Sequence, residues 1–259
     1  MKIAYYDSYQ CSMEDKRRWF LDALDDKSIH GPAKDGVVAF DTVKAIEAAD
    51  VGLVWNGQEP GCGWFVERCA VAGCPVVYIE RGLLPQADNV FLDPAGMGYF
   101  SSLGIRGGGG RTLPQFGGRC AIILQLMHDA NCYPFTNCRT SEAFCKAAAL
   151  EAADVATEFI VCPHPRNPQP LVPFPISDRP TLDTPCDMAV GCCSSVMYAM
   201  AERGVPIMTF GPPGTFWHPL ERAPVEDILA QIRAQQYTVG ETRDRLLELL
   251  WRLAEGGAA

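Results

Sequence analysis

The chain has 259 residues, of which 48% are hydrophobic and 20% charged, and its formal net charge is −9. These values are typical of a globular protein with a substantial core, and they exclude a disordered or collagen-like chain. The acidic charge opposes non-specific nucleic-acid binding by the surface as a whole. Asp7 follows the start too closely for a signal peptide, and no apolar run is long enough to span a membrane. We therefore expect a cytoplasmic protein.

Short apolar runs and helical patterns alternate through the first half of the chain. They predict strands at residues 2–6, 37–40, 51–55 and 75–80, and helices at residues 14–24, 42–49 and 63–71. Such alternation predicts parallel strands joined by crossover helices, as in α/β folds. Residues 81–117 have no clear period and are rich in glycine and proline, which indicates a functional loop or a hinge.

The alternation resumes beyond residue 117. It predicts strands at residues 120–125, 159–162, 188–191 and 205–210, and helices at 141–153, with Ser141 as the cap, and at 195–203. Amphipathic patterns at 224–235 and 241–253 predict two more helices, for which a dimerising helix pair is one alternative. We therefore divide the chain into α/β domains at 1–117 and 118–215, followed by C-terminal helices at 216–259.

Twelve cysteines raise the question of a metal site or a disulfide framework. No Cys-x-x-Cys pair is present, although structural zinc sites usually bring their ligands in such tight pairs. Cys120, Cys162 and Cys192 lie in strand-like runs, where a reduced thiol acts as a small hydrophobic group. We expect ordinary reduced cysteines.

Two predicted strands end in residues able to bind a ligand. One is followed by His164, Pro165 and Arg166, and the other leads to Ser194 and Ser195. Ligands of open α/β sheets lie outside the carboxyl ends of the strands, so two adjacent ends of this kind predict a nucleotide pocket. Serines at the start of a helix favour a phosphate, although simple N-capping is the alternative. The imidazole is suited to donate to phosphate or ribose, and the guanidinium to neutralise a leaving group.

A strand ending in His-Pro, a strand ending in Ser-Ser, and then a helix and Gly204-Val205-Pro206 resemble the donor half of GT-B glycosyltransferases. The branch is that of Kdo transferases, bacterial sialyltransferases and capsular polysaccharide enzymes. A strand that ends in Gln125 resembles the opening of the donor domain there. Residues 80–85 and 91–96 resemble the Glu-x-Gly-x-x-Pro and Asp-x-x-Gly segments of the acceptor half. The resemblance is discontinuous and covers residues 75–211.

The resemblance implies an α/β fold of two small Rossmann-like domains facing a cleft, with the C-terminal helices packing back on the acceptor-side domain. It implies that residues 118–215 bind a nucleotide-sugar, UDP- or CMP-linked, as co-substrate. The donor-binding residues that it implies are Gln125, His164, Arg166, Ser194 and Ser195. Many members place a ribose-binding Glu in the helix after the serines. Here Ala199 takes that place and Glu202 lies three residues further on, so the nucleotide stays open.

The general base of a transferase is expected in the first domain, and Glu80 and Asp93 are the candidates. Glu80 ends an apolar strand, where partial burial favours a raised pKa. The alternatives are an ion pair for Glu80, a turn cap for Asp93, and Asp7 as the base. No Asp-x-Asp metal motif is present, so we expect transfer without a metal cofactor.

The acceptor is the most open part of the prediction. Arg106 and Arg111 flank four glycines, and residues 16–18 are basic. The resemblance extends to compact bacteriophage glycosyltransferases that modify 5-hydroxymethylpyrimidines in DNA, which would place the protein in the host cytoplasm. These features favour a DNA acceptor bound by both arginines. The alternatives are a surface or capsular polysaccharide acceptor, a non-transferring sugar epimerase, and a nucleotide- or glycan-binding module.

Overall fold

The computed structural model describes residues 2–6, 29–30, 40–55, 62–84, 89–95, 118–127, 138–192, 194–209, 224–238, 241, 248–249, 251–253 and 255. The chain divides into two compact units. Residues 1–102 and 233–259 form the first unit, and residues 103–232 form the second. In the part of the chain described, no helix is both long and apolar enough to cross a membrane.

The described strands are β1 (Ile3–Tyr6), β2 (Ile29–His30), β3 (Val51–Trp55), β4 (Val76–Arg81), β5 (Asn89–Asp93), β6 (Arg119–Ile123), β7 (Glu158–Cys162), β8 (Met188–Gly191), β9 (Ile207–Thr209) and β10 (Gln236–Thr238). The helices are α1 (Phe40–Glu47), α2 (Cys62–Val71), α3 (Ser141–Glu151), α4 (Val196–Glu202) and α5 (Val225–Gln235).

Both units contain the same arrangement of parallel strands. The first sheet has the order β10-β5-β4-β3-β1-β2, and the second has the order β7-β6-β8-β9. In each, the first strand of the unit lies between the second and the third, and the fourth follows the third. The first sheet adds β5 and β10, which both run antiparallel to their neighbours. The two units therefore repeat one α/β topology, which is extended in the first.

Alternating side chains bury both faces of the first sheet. One face packs around Leu53 and Ile79, and the other packs against α1 and α2. Helix α2 presents Cys62, Phe65 and Cys69 as one apolar stripe. Gly52 allows this close approach, because an added Cβ there would lie 2.8 Å from the Cys69 sulfur.

Helices α2 and α4 end in the same way. At α2, the N–H of Cys74 donates to the carbonyl of Cys69 at 2.8 Å, and Gly73 has a φ of +70°. At α4, the N–H of Val205 donates to the carbonyl of Met200 at 3.0 Å, and Gly204 has a φ of +80°. These are Schellman ends, each followed by proline. The Gly-x-Pro segment is therefore a helix stop that recurs at equivalent places in both units.

Several expectations about the elements need correction. The strand predicted at 37–40 is wrong at Phe40, which begins α1, and residues 37–39 lie outside the described residues, as does the helix predicted at 14–24. The loop predicted at 81–117 contains β5, and β10 interrupts the predicted C-terminal helices. The first sheet is therefore mixed rather than wholly parallel. Helix α3 is capped by Thr140, whose hydroxyl accepts the Ala143 N–H at 3.1 Å, and not by Ser141.

The nine cysteines in the described part of the chain are free thiols. Cys120 is buried in β6, and Cys145 is buried in α3. Burial, with a smaller contribution from neighbouring thiols, raises the pKa of each to about 12. Both thiols are therefore protonated and act as core groups near neutral pH.

The buried Cys120 thiol should make stability fall at alkaline pH. Its pKa is about 12 in the folded protein against 9.0 for the ordinary thiol, so the folded state retains a proton that the unfolded state loses. The stabilisation is complete below pH 9 and is lost as pH rises towards 12. Relative to Cys120→Ala, the wild-type protein should lose about 1.4 kcal/mol of unfolding free energy per pH unit in that window. Urea unfolding of both proteins at pH 8 and pH 10 measures this, and parallel pH profiles would contradict it.

Candidate functional site

The second sheet has a topological switch point between β6 and β8. The chain leaves β6 towards β7 on one side and then returns past β6 to form β8 on the other. All four strands are parallel, so their carboxyl ends lie along one edge. In open α/β sheets the ligand crevice lies outside those ends at the switch point. The crevice is therefore expected beside the residues that follow β6 and β8.

Gln125 lies just beyond the end of β6, at this switch point. The preceding Leu124 extends the sheet, because its N–H donates to the carbonyl of Cys162 at 3.0 Å. Gln125 is only 7% exposed. Its side chain is one of the few buried polar side chains among the described residues. An almost fully buried glutamine therefore stands at the predicted ligand crevice.

Ser194 and Ser195 lie on the other side of the switch point, after β8. Ser195 has the helical dihedral angles φ −61° and ψ −27°, and its side chain makes no capping hydrogen bond to α4. Both serines are half-buried. Gly191 allows α4 to begin close above β8, because an added Cβ there would lie 2.8 Å from the Met197 sulfur. The capping explanation therefore does not account for the Ser195 hydroxyl.

His164 lies farther from Ser194 and Ser195 than the sequence predicts. The expectation that its strand and theirs are adjacent is wrong, because β6 lies between β7 and β8. Strands two positions apart are separated by roughly 10 Å. Gln125 therefore occupies the middle of a row in which His164 and Ser194 form the two ends.

The turn after β7 fixes the His164 ring. The N–H of Arg166 donates to His164 Nδ1 at 3.1 Å, and the N–H of Asn167 donates to the His164 carbonyl at 2.7 Å. An accepting Nδ1 keeps the neutral tautomer with its proton on Nε2, which is a donor. The Arg166 side chain is exposed beside it.

A hydroxyl pair that sequence reasoning missed holds the proline-rich loop behind this turn. Ser177 and Thr184 are buried, and their hydroxyl oxygens are 2.7 Å apart. Backbone bonds of 2.8 Å join Val161 to Pro175 and to Ser177, so the loop covers the edge of β7. Polar residues among many prolines were the only sequence signal.

Glu80 and Asp93 lie on one face of the first sheet. Glu80 pairs with Phe91, and Asp93 pairs with Tyr78, which places the two carboxylates at diagonal positions on adjacent strands. Glu80 is half-buried near the end of β4. Asp93 is 0% exposed, and its Oδ1 accepts the Ala95 N–H at 2.8 Å. Asp93 therefore closes a turn, which is the structural alternative that the sequence left open.

Asp93 also affects its partner Tyr78. Burial is the main cause that raises the pKa of the Tyr78 phenol, with Cys62, Cys69 and the Asp93 carboxylate as further contributions. The phenol is therefore protonated across the neutral range.

The remaining candidates contribute no described geometry to the site. Arg106, Arg111 and Asp7 lie outside the described residues. Ala199 is half-buried within α4, and Glu202 is exposed at its last position. Within the described ranges, no group of three or more His, Cys, Asp or Glu side chains is placed to hold a metal ion.

Searches against protein-family models and against curated proteins find no match. Among solved structures, the chain is similar to the KpsC beta Kdo 2,7 transferase of Thermosulfurimonas dismutans, with a TM-score of 0.56 and 14% identity over 96% of this chain and 99% of that one. The KpsC beta Kdo 2,4 transferase of the same organism gives a TM-score of 0.47 and 15% identity over 82% of this chain and 80% of that one. The first comparison shows that the chain has the α/β fold of a Kdo transferase.

Proposed function

We propose that this protein is a glycosyltransferase that moves a sugar from a nucleotide-linked donor to a glycan, as in the synthesis of a surface or capsular polysaccharide. The observation that carries the proposal is Gln125, a buried amide at the switch point of a sheet whose fold is shared with a Kdo transferase. The motif resemblance to GT-B enzymes supports the same class. The proposal includes the GT-B division of labour, with the donor on the second unit and the acceptor on the first.

The energetics of Gln125 favour a ligand at this place. Polar side chains are rarely buried without a hydrogen-bonding role, and Gln125 is only 7% exposed where β6 ends. A ligand that entered the crevice would give the amide both an acceptor and a donor. The crevice between the carboxyl ends of two parallel strands is also where nucleotides bind in this class of sheet.

We place the phosphate of the donor beside Ser194 and Ser195, at one end of the row formed with Gln125 and His164. The Ser194 and Ser195 hydroxyls are suited to donate to an anion, and the positive end of the α4 dipole favours one. His164, at the other end, donates from Nε2, and Arg166 supplies the positive charge for the leaving nucleotide. We propose that these side chains stabilise the leaving group without a divalent cation. The donor is a nucleotide-sugar, UDP- or CMP-linked, and a CMP-linked sugar acid such as Kdo is the first candidate.

The proposed acceptor is a glycan and not DNA. The DNA hypothesis depended on Arg106 and Arg111, which lie outside the described residues, and on the acidic chain having a local basic surface. The solved structure with a TM-score of 0.56 is a Kdo transferase. The alternative acceptor that the sequence left open is therefore better supported. Glu80 is proposed as the general base, since it retains exposed surface and Asp93 does not.

Replacing Gln125 with Met should separate binding from stability. Met has a similar volume and no polar group, so the unfolding free energy should be unchanged or should rise by up to about 1 kcal/mol. Donor affinity should fall by about 10- to 100-fold, because the ligand loses its buried hydrogen bonds. Thermal shifts with UDP-, CMP-, GDP- and dTDP-sugars identify the donor, and calorimetric titration then measures its Kd.

The matched control is Thr184→Val, which removes a buried hydroxyl that already has partners. It should lower stability and leave donor affinity as in the wild-type protein. A Gln125→Met variant that binds the donor as tightly as the wild type would remove Gln125 from the site. A wild-type protein that no nucleotide-sugar of the panel stabilises would contradict the proposed function itself.

A further inference from the structure

One side chain near the C-terminus holds a loop of the first unit that lies far away in sequence. Gln236 Oε1 accepts the N–H of Leu83 at 2.6 Å and the N–H of Leu84 at 2.8 Å. Gln236 Nε2 donates to the carbonyl of Leu84. Three hydrogen bonds therefore join one amide to the backbone of two residues that precede it by 152 and 153 positions.

The loop that Gln236 holds is the connection between β4 and β5. The N–H of Gly82 donates to the carbonyl of Asn89 at 2.7 Å, which closes the base of this connection. Gly82 and Leu84 are buried, so their backbone groups have little access to water. Buried backbone N–H and C=O groups need partners. The Gln236 amide is the partner of the Leu83 and Leu84 N–H groups and of the Leu84 carbonyl, as a peptide group of a neighbouring strand would be.

The same residue lies in line with Glu80. Gln236 pairs with Phe91 across β10 and β5, and Phe91 pairs with Glu80 across β5 and β4. Directly paired residues share a face of the sheet, so these three side chains form one row. The loop held by Gln236 begins two residues after Glu80. The Gln236 amide therefore fixes the backbone that follows Glu80, the residue proposed as the general base.

We propose that Gln236 is a positioning residue that holds the loop at residues 82–84 and, through it, the Glu80 carboxylate in its working place. This proposal rests on the proposed function. A primary amide accepts two N–H groups through its oxygen and also donates to a carbonyl through its nitrogen. Glu would keep the acceptor and lose the donor, and Met would lose both with little change in volume.

The test uses Gln236→Met, Gln236→Glu and the control Tyr237→Phe in the full-length protein. Tyr237 lies next in the strand, and its hydroxyl donates to the Ala234 carbonyl at 3.2 Å, away from the loop. Amide hydrogen exchange at Leu83 and Leu84 should be at least about 10-fold faster in Gln236→Met and near wild type in Tyr237→Phe. Gln236→Glu should lie between them.

Kinetics then tests the positioning role. Hydrolysis of the donor that stabilises the wild-type protein, in which water takes the sugar and the nucleotide leaves, should slow by about 10- to 100-fold in Gln236→Met, with an unchanged Kd for that donor. In a Glu80→Gln background the same change should have no further effect, because Gln236 acts through Glu80. Tyr237→Phe should release nucleotide at the wild-type rate.

Three results would overturn the proposal: unchanged exchange at Leu83 and Leu84, wild-type turnover in Gln236→Met, or an undiminished effect in the Glu80→Gln background. A failure of the proposed function would be recognised separately, because the wild-type protein itself would then release no nucleotide. In that case the exchange rates still decide whether Gln236 holds the loop, but Glu80 is no longer a general base and Gln236 has no base to position.

Discussion

Replacing Glu80 with Gln is expected to lower turnover by about 10²- to 10⁴-fold, the usual contribution of a general base. Gln has the same shape, so the fold and the donor Kd should stay as in the wild-type protein. Glu80 is half-buried at the end of β4, where a carboxylate is placed to accept a proton and still be reached. Single-turnover nucleotide release, measured at saturating donor, isolates this step from binding.

Asp93→Asn is the matched control for that variant. Asn keeps the oxygen that accepts the Ala95 N–H, so the turn should persist and turnover should change by less than about 3-fold. The loss of the Asp93 charge should lower the pKa of the Tyr78 phenol towards its ordinary value, which spectrophotometric titration detects. A large loss of turnover in Asp93→Asn, with Glu80→Gln near wild type, would instead make Asp93 the base.

The elements with a strong local signal could be predicted from the sequence. The strand predicted at 188–191 has the observed bounds of β8, and the helix predicted at 224–235 differs from α5 by one residue. β5 and β10 could not be predicted in this way. β10 has three residues and directly follows a helix, and both strands are stabilised by pairing with distant partners, which leaves no local period.

In the candidate site, too, the features set by the local sequence could be predicted, and those set by the pairing of distant strands could not. Gln125, His164 and the two serines were recognisable because each follows an apolar strand, which is a local pattern. Their order along the edge was not recognisable, since only the pairing of β6 with both β7 and β8 places Gln125 in the middle. Gln236 carried no sequence signal, because its partners lie 152 and 153 residues earlier.

Gly118→Ala is expected to be the most destabilising of the single substitutions considered, with a loss of about 3–5 kcal/mol. Gly118 has a φ of +129°, which a residue with a Cβ rarely adopts, and this strain alone costs about 1–3 kcal/mol. The new Cβ would also lie 2.5 Å from Asp187 Oδ2 and 2.9 Å from Asp187 Cβ. Asp187 would have to move, although its Oδ2 accepts the Arg119 N–H at 2.7 Å where β6 begins. Loss of a charge-assisted bond of this kind adds about 1–3 kcal/mol.

Two other glycines separate the backbone strain from the steric clash. Gly63 lies in α2 with open space around it, so Gly63→Ala should stabilise the protein by about 0.5–1 kcal/mol. Gly204 has a φ of +80° but also faces open space, so Gly204→Ala should cost only the strain, about 1 kcal/mol. Urea unfolding of the three variants gives, as the difference between Gly118→Ala and Gly204→Ala, the clash with Asp187 together with the larger backbone strain at φ +129°. If that difference is zero, Asp187 can move without a loss of stability, and the start of β6 does not require glycine to make room for Asp187.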